Sequence, residues 1–274
     1  MTSNFAPQNE PPLAYGRQAE IFPWGEGRII KIFRNNQPEA ARYEFTVSRL
    51  AFLQGARTPQ PLEIVEKDGR SGIIFERVDG PSLLGLLGNR SWQVRTMARQ
   101  FAELHHTVHR CKAPELPSAR RELEKIIQSR QQLSAPVKSA LLKLLNGLPD
   151  GDCLLHGDFH PDNVMVTSRG LVIIDWPNAG RGCPLADVAR TTITLRVGDP
   201  VGNISLVLRI LTRFLRGIFL SAYVREYFKH SPYSENDLHS WELILAAQRI
   251  GDRIPGEEIK LMNIIERGLT NKKG

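Results

Sequence analysis

His156-Gly157-Asp158-Phe159-His160-Pro161-Asp162-Asn163 is followed by Val164-Met165-Val166-Thr167, Ser168-Arg169-Gly170 and Leu171-Val172-Ile173-Ile174-Asp175. Two apolar, β-branched runs flank a short segment containing Gly170, which predicts a β-hairpin with a three-residue loop. If Thr167 faces Leu171, then Val164 faces Ile174 and Asn163 lies opposite Asp175. Facing residues in an antiparallel pair hold their Cβ atoms about 4.5–5.5 Å apart, so an amide oxygen and a carboxylate are expected to converge at one end of the hairpin. Magnesium takes hard oxygen ligands from one or two side chains and completes its shell with water and phosphate, a need that Asn163 and Asp175 match. Asp158 precedes Asn163 on the turn into the hairpin, where a carboxylate can orient a hydroxyl and accept its proton. The run Cys153-Leu154-Leu155 before it reads as buried, so the polar cluster emerges abruptly from apolar chain.

This block, ending in Ile174-Asp175-Trp176, resembles the aminoglycoside phosphotransferase and choline kinase superfamily, a branch of the protein-kinase-like fold. The resemblance runs from about Tyr15 to the end and is most specific over residues 156–187. It implies an α+β, two-lobed architecture with a small β-rich N-lobe and a larger helical C-lobe. It implies ATP and Mg2+ as cofactors, Asp158 as catalytic base, and Asn163 and Asp175 as metal ligands. The activity implied is transfer of a phosphoryl group to a hydroxyl of a small molecule.

Working outward, residues 1–13 read as a loose tail, 14–80 as the β-rich lobe with its hinge, and 81–274 as the helical lobe, with a ligand cleft expected between the two. Arg28-Ile29-Ile30-Lys31-Ile32-Phe33 predicts a strand. Alternation puts Lys31 on the same face as Ile29 and Phe33, pointing inward. A buried lysine needs a partner, and Glu44 on the following helix, predicted over Pro38 to Leu53 with Tyr43, Val47 and Leu50 on one face, is the candidate. In kinases the equivalent lysine holds the α- and β-phosphates and a helix glutamate fixes it. Asp68-Gly69 predicts a hairpin turn. Gly16-Arg17-Gln18-Ala19 stands where a nucleotide loop is expected, with one glycine where protein kinases have three. Ile73 to Gly80 resembles the last sheet strand and hinge, where the backbone of Glu76 and Val78 is expected to bind adenine.

Beyond Gly80-Pro81, Ser91 is a candidate cap for a helix carrying Met97, Phe101, Leu104 and Val108 on one stripe. His105 and His109 share a face of that helix, but no Glu or Cys at zinc spacing accompanies them, which favours packing over a metal. Arg181 to Arg190 resembles the family's Gly-x-Pro-x-x-Asp-Leu-Ala segment, with Asp187 expected to cap a helix or brace the catalytic loop.

Composition excludes several classes. The chain has 274 residues with a net charge of +7, and its basic residues are scattered rather than run together, so no nucleic-acid partner is expected. Three cysteines, Cys111, Cys153 and Cys183, argue against a disulfide framework and for a reducing, cytoplasmic setting. The apolar stretch Ile204 to Val224 is interrupted by Arg209, Arg213 and Arg216 and reads as a buried or amphipathic helix, so no membrane partner is expected.

A protein kinase fits less well. Gly157 replaces the arginine that reads activation-loop phosphate, Trp176-Pro177 replaces Phe-Gly, and only about twelve residues separate Asp175 from Asp187. A catalytically inactive relative fits less well because Lys31, Glu44, Asp158, Asn163 and Asp175 are all present. The helices after Asp187, where the acceptor is expected to bind, carry more basic than acidic residues. That favours a neutral or anionic hydroxylated acceptor over a polycationic aminoglycoside.

Overall fold

A computed structural model describes residues 11–16, 18–35, 37–67, 69–198 and 205–271. Residues 1–10 of the expected tail, Arg17, Asp68 and Ile204 lie outside the described residues. The chain divides into two compact units, one of residues 1–82 with 163–179, the other of 83–162 with 180–274.

The first unit opens with β1 (Ala14–Tyr15), β2 (Ala19–Pro23) and β3 (Arg28–Phe33), followed by helix α1 (Pro38–Leu53), β4 (Pro61–Lys67) and β5 (Arg70–Glu76). The strands form one antiparallel sheet in the order β1-β2-β3-β5-β4. Alternation along β3 sends its side chains to opposite faces. Phe33 packs with Ile73, Phe75 and Ala41 of α1, while Ile30 and Ile32 pack with Ile74 on the other side. Pro38 starts α1, where its missing N–H costs nothing. The buried stripe of α1 is Ala41, Glu44, Val47, Ser48 and Ala51; Tyr43 and Leu50, expected on the apolar face, lie beside it and are half-buried.

The second unit begins with α2 (Leu83–Asn89), α3 (Val94–Arg110), α4 (Ala119–Ser129), α5 (Ala135–Gly147) and the short strand β6 (Cys153–Leu155). Ser91 does not cap α3: it opens a 3-10 turn over Ser91–Gln93, and Gln93 occupies the cap position without a side-chain hydrogen bond. The predicted apolar stripe of α3 is buried.

The hairpin β7 (Val164–Thr167) and β8 (Gly170–Ile173) belongs to the first unit. Its register corrects the sequence-based expectation by one residue. Thr167 pairs with Gly170 and Val164 with Ile173, so the loop is the two residues Ser168 and Arg169, and Asn163 does not face Asp175. The reason is local. Gly170 takes φ +105°, a conformation open to glycine, and so joins the ladder instead of the loop. The Thr167 hydroxyl stitches the turn, donating to the Gly170 carbonyl (2.8 Å) and accepting from the Arg169 N–H (3.0 Å).

The hairpin is bonded into its own unit. Val166 N–H donates to the Pro81 carbonyl (2.9 Å) and Ile173 N–H to that of Arg57 (2.7 Å). Gly80, at φ +151°, lies so close to β7 that an added Cβ would overlap the Val166 carbonyl. Gly80→Ala is therefore expected to destabilise the protein by about 2–4 kcal/mol, combining backbone strain with overpacking, read as a lower urea midpoint. An unchanged midpoint would show that this segment does not hold the hairpin.

The second unit continues with β9 (Gly180–Gly182), α6 (Pro184–Val197), α7 (Leu206–Phe228), α8 (Glu235–Arg249) and α9 (Glu258–Asn271). β9 pairs antiparallel with β6, matching Leu155 to Gly180. That pairing brings the residues just after β6 beside the first turn of α6. The apolar stretch from 206 onward is helical as expected, but its N-terminal half is not buried: Val207, Ile210 and Phe214 are each more than half exposed. All three cysteines are free, and no helix among the described residues is long and apolar enough to cross a membrane.

Candidate active site

In the first unit the β3 alternation turns Lys31 toward α1, and the buried stripe of α1 presents Glu44 to it. Lys31 Nζ donates to both Glu44 carboxylate oxygens (2.7 and 2.8 Å) and to Asp175 Oδ1 (2.6 Å). Burial works against the lysine's charge, but the Glu44 and then the Asp175 carboxylates outweigh it and hold its pKa above the usual value. Burial likewise pushes Glu44 up, against the pull of Lys31.

Asp175 follows β8 at φ +71°, a left-handed conformation that Asp and Asn tolerate better than most residues. Its side chain is 45% exposed, so it is the open member of the trio. Trp176 anchors the turn: its buried indole donates to Thr58 Oγ1 (2.9 Å), and its backbone N–H donates to Glu44. Tyr43 O–H donates to the Ala179 carbonyl (2.6 Å). Asn163 is buried at the start of β7, its carbonyl accepting from Ile174 N–H (3.0 Å).

The remaining positions expected for nucleotide sit in the same unit. Gly16 N–H closes the β1–β2 turn by donating to the Ala19 carbonyl (2.9 Å). Glu76 N–H donates to the Gln60 carbonyl (2.9 Å), and the Glu76 side chain accepts from Arg169 in the hairpin turn (2.7 Å). Val78 is half-buried just beyond β5.

In the second unit Asp158 lies between His160 and Arg190. His160 Nε2 is 3.6 Å from Asp158 Oδ2, and an Arg190 guanidinium nitrogen is 3.7 Å from Oδ1. Burial raises the Asp158 pKa, but His160 and then Arg190 more than offset it and hold the carboxyl down at about 2. Arg190 is itself held by Asp252 (3.1 Å) and Gln248 (3.4 Å).

The loop carrying Asp158 is braced by Asp187, which is fully buried and accepts from the His156 and Gly157 N–H groups (2.6 and 2.9 Å). His105 Nε2 and His109 Nε2 approach the same carboxylate at 3.1 and 3.4 Å, while their Nδ1 atoms meet the hydroxyls of Tyr223 (2.8 Å) and Tyr227 (2.7 Å). The ligand-type atoms of His105, His109 and Asp187 lie within 4.8 Å of one another, yet each ring nitrogen already has a protein partner. Phe159, next to Asp158, stacks on His105 (3.9 Å between centroids) and Phe101 (4.3 Å), and its carbonyl accepts from Thr191 (2.7 Å).

Burial, reinforced by His109, pushes His105 down to about 3, so it is neutral in the fold. Its tautomer follows: Nε2 donates to Asp187 and Nδ1 accepts from Tyr223. The unfolded chain therefore binds one more proton between about pH 6.5 and pH 3, and stability is full above that window and lost as pH falls through it. Half-buried His106 shifts the same way. Urea unfolding between about pH 7.5 and 5 should show stability falling by up to about 1.4 kcal/mol per pH unit for one proton. Stability flat over that range would mean that His105 is charged in the fold.

Asp187 takes the loop-bracing role that was one of its two expected roles, whereas Arg190 and His160 were given no role from sequence, and His105 and His109 were not linked to Asp187. Arg190 had a usable signal, since it follows Asp187 by three residues on one helix and so shares its side. The histidines' share in the brace had none, because they lie 82 and 78 residues from Asp187.

Similar folds are known among solved structures. One is a type VIII aminoglycoside-3'-phosphotransferase (17% identity, 86% of this chain and 91% of that chain, TM-score 0.56). A choline/ethanolamine kinase family protein from Mesorhizobium loti has 13% identity, covering 96% and 86%, with a TM-score of 0.58. Amicoumacin kinase hAmiN, solved with AMP-PNP, Ca2+ and Ami, has 14% identity, covering 97% and 90%, with a TM-score of 0.56. No curated protein sequence matches. The architecture is thus the α+β, two-lobed, protein-kinase-like fold. The phosphotransferase enzyme family model matches residues 22–234, and the chain belongs to that family. By that membership it is a phosphotransferase.

Proposed function

We propose that this protein transfers the γ-phosphoryl group of ATP, with Mg2+, to a hydroxyl group of a neutral or anionic small molecule. The observation that carries the reading is the Lys31–Glu44–Asp175 cluster, an ammonium gripped by two carboxylates at 2.6–2.8 Å. One positive charge against two negative charges leaves an excess that would repel a triphosphate. The cluster therefore fits a nucleotide that arrives with a divalent cation, and the oxygen donors of Asp175 and Asn163 suit Mg2+. When bound, Mg2+ neutralises phosphate charge. Lys31, fixed by Glu44, holds the phosphates; the Glu76 carbonyl and Val78 backbone hold adenine; the turn at Gly16 covers the nucleotide.

Asp158 orients the acceptor hydroxyl and takes its proton. A carboxyl held near pKa 2 is a weak base. That suits a loose phosphoryl transition state, in which positioning counts for more than early proton removal. In this reading residues 14–80 serve the nucleotide and 81–274 carry the base and the acceptor site. The free cysteines favour action in the reducing cytoplasm.

The acceptor reading rests on charge. Several basic residues of the helical region are neutralised internally, Arg190 by Asp252, Arg196 by Glu242 and Arg249 by Glu257. Those same pairs also occupy the carboxylates that a polycation would need. ADP release from ATP should be measured with a panel of sugars, amino alcohols, nucleosides, hydroxy acids and aminoglycosides. Turnover with a neutral or anionic compound supports the reading. Aminoglycoside resistance in a sensitive bacterium that is lost with Asp158→Asn would overturn the acceptor class while keeping the chemistry.

A further inference from the structure

A further group of basic residues gathers along α3 and α7. Arg95 and Arg99 of α3, Arg213 and Arg225 of α7, and Lys229 just after α7 line a cavity of about 540 Å³ together with Phe214, Ile218 and Ala222. Its size falls within the range of small-molecule pockets. The hollow has a sequence cause. Along α7 the residues spaced by four, Arg213, Gly217, Ser221 and Arg225, share a face, and the middle two are small. Ala222 is the small residue of the neighbouring row. A Cβ built at Gly217 would meet nothing within 4 Å. Large residues at both ends with small ones between leave a bay walled by guanidinium groups.

Among the described residues five cationic side chains line this bay against one carboxylate, Glu226. That carboxylate is already engaged by Lys229 (2.7 Å) and approached by Arg99 (3.9 Å). Like charges gathered around one cavity repel one another, and a bound anion relieves the repulsion. Guanidinium groups pair with planar or tetrahedral oxyanions through two parallel N–H donors, while Phe214 and Ile218 offer apolar contact. Neither Asp158 nor His160, Arg190 or Asp252 lines the cavity. The rings on the adjoining side of α7, Phe219 and Tyr223, pack on Phe101 instead.

We infer that this cavity is a binding site, separate from the phosphoryl-transfer residues, for a small organic anion that carries an oxyanion group on an apolar body. The probe for testing it is 1-naphthyl phosphate, titrated calorimetrically into the full-length protein at low salt with saturating Mg-ADP present. Controls are inorganic phosphate and 1-naphthylmethylamine. One site per chain is expected for naphthyl phosphate, at least about tenfold tighter than for inorganic phosphate, with no binding of the amine. Arg225→Glu removes a cation and Ser221→Trp fills the bay; both positions are exposed, so the fold should survive. Each variant should weaken naphthyl phosphate at least about tenfold and leave Mg-ADP binding unchanged. Four outcomes would overturn the inference: no binding of naphthyl phosphate, equal binding of the amine, equal binding of inorganic phosphate, or affinity that survives both variants.

Discussion

Asp175→Asn is expected to abolish phosphoryl transfer while leaving the protein folded. The substitution keeps the shape of the side chain and a residue type that tolerates the φ of +71° found there, which alanine does less well. What it removes is a negative charge. Asp175 is the exposed member of the trio around Lys31, so the fold does not depend on its burial, and Lys31 keeps both bonds to Glu44. The loss should fall on binding of the metal–nucleotide pair and on charge stabilisation in the transition state. Losing a single such electrostatic contact commonly costs about 10²–10³-fold, and a metal ligand should cost more. Steady-state turnover with any accepted hydroxyl compound checks this, beside a urea titration showing an unchanged midpoint. Near-normal turnover would remove Asp175 from the mechanism.

Asp158→Asn should give the second large effect, of a different kind. Positioned acid–base groups contribute about 10²–10⁴-fold, so turnover should fall by that range while nucleotide binding is spared. The partners of Asp158 sharpen the expectation. With the carboxylate neutralised, the Arg190 guanidinium remains held by Asp252 and Gln248, so the loop should not collapse. Because Asp158 is held at about pKa 2, it stays ionised throughout the neutral range. The turnover profile of the wild-type protein should therefore show no acid limb from this group above about pH 3. Loss of nucleotide binding in Asp158→Asn, with residual chemistry intact, would make Asp158 structural.

Much of the first unit could be read from residue order alone. The strand Arg28–Phe33 and the helix Pro38–Leu53 were legible because both signals are local: β-branched alternation in one, a first-turn proline and a following glycine in the other. The Lys31–Glu44 contact followed from them, since an inward lysine needs a partner and the next helix offered one. The hairpin was legible as a hairpin but not in its register. A glycine that can enter the ladder at positive φ and a threonine that stitches the turn made a two-residue loop, and one residue of shift changed which side chains oppose each other.

What escaped the sequence was tertiary. Asp187 was expected to cap a helix or brace the loop, but the buried hydrogen bonds that tie His105 and His109 to it are recorded by no periodicity. The sequence left the stretch before Val224 as either a buried or an amphipathic helix, and only the packing shows that its N-terminal half is exposed. Ser91 has the chemistry of a cap, but the chain takes a 3-10 turn first and the helix begins at Val94.

Magnesium-dependent nucleotide binding tests the central claim most directly, because it requires no knowledge of the acceptor. Calorimetry of the wild-type protein with ATP, with and without Mg2+, should show binding that is at least about tenfold tighter with the metal. The two carboxylates around Lys31 disfavour a bare triphosphate. In Asp175→Asn that metal dependence should largely vanish. Equal ATP affinity with and without Mg2+ in the wild-type protein, or no ATP binding at all, would contradict the account.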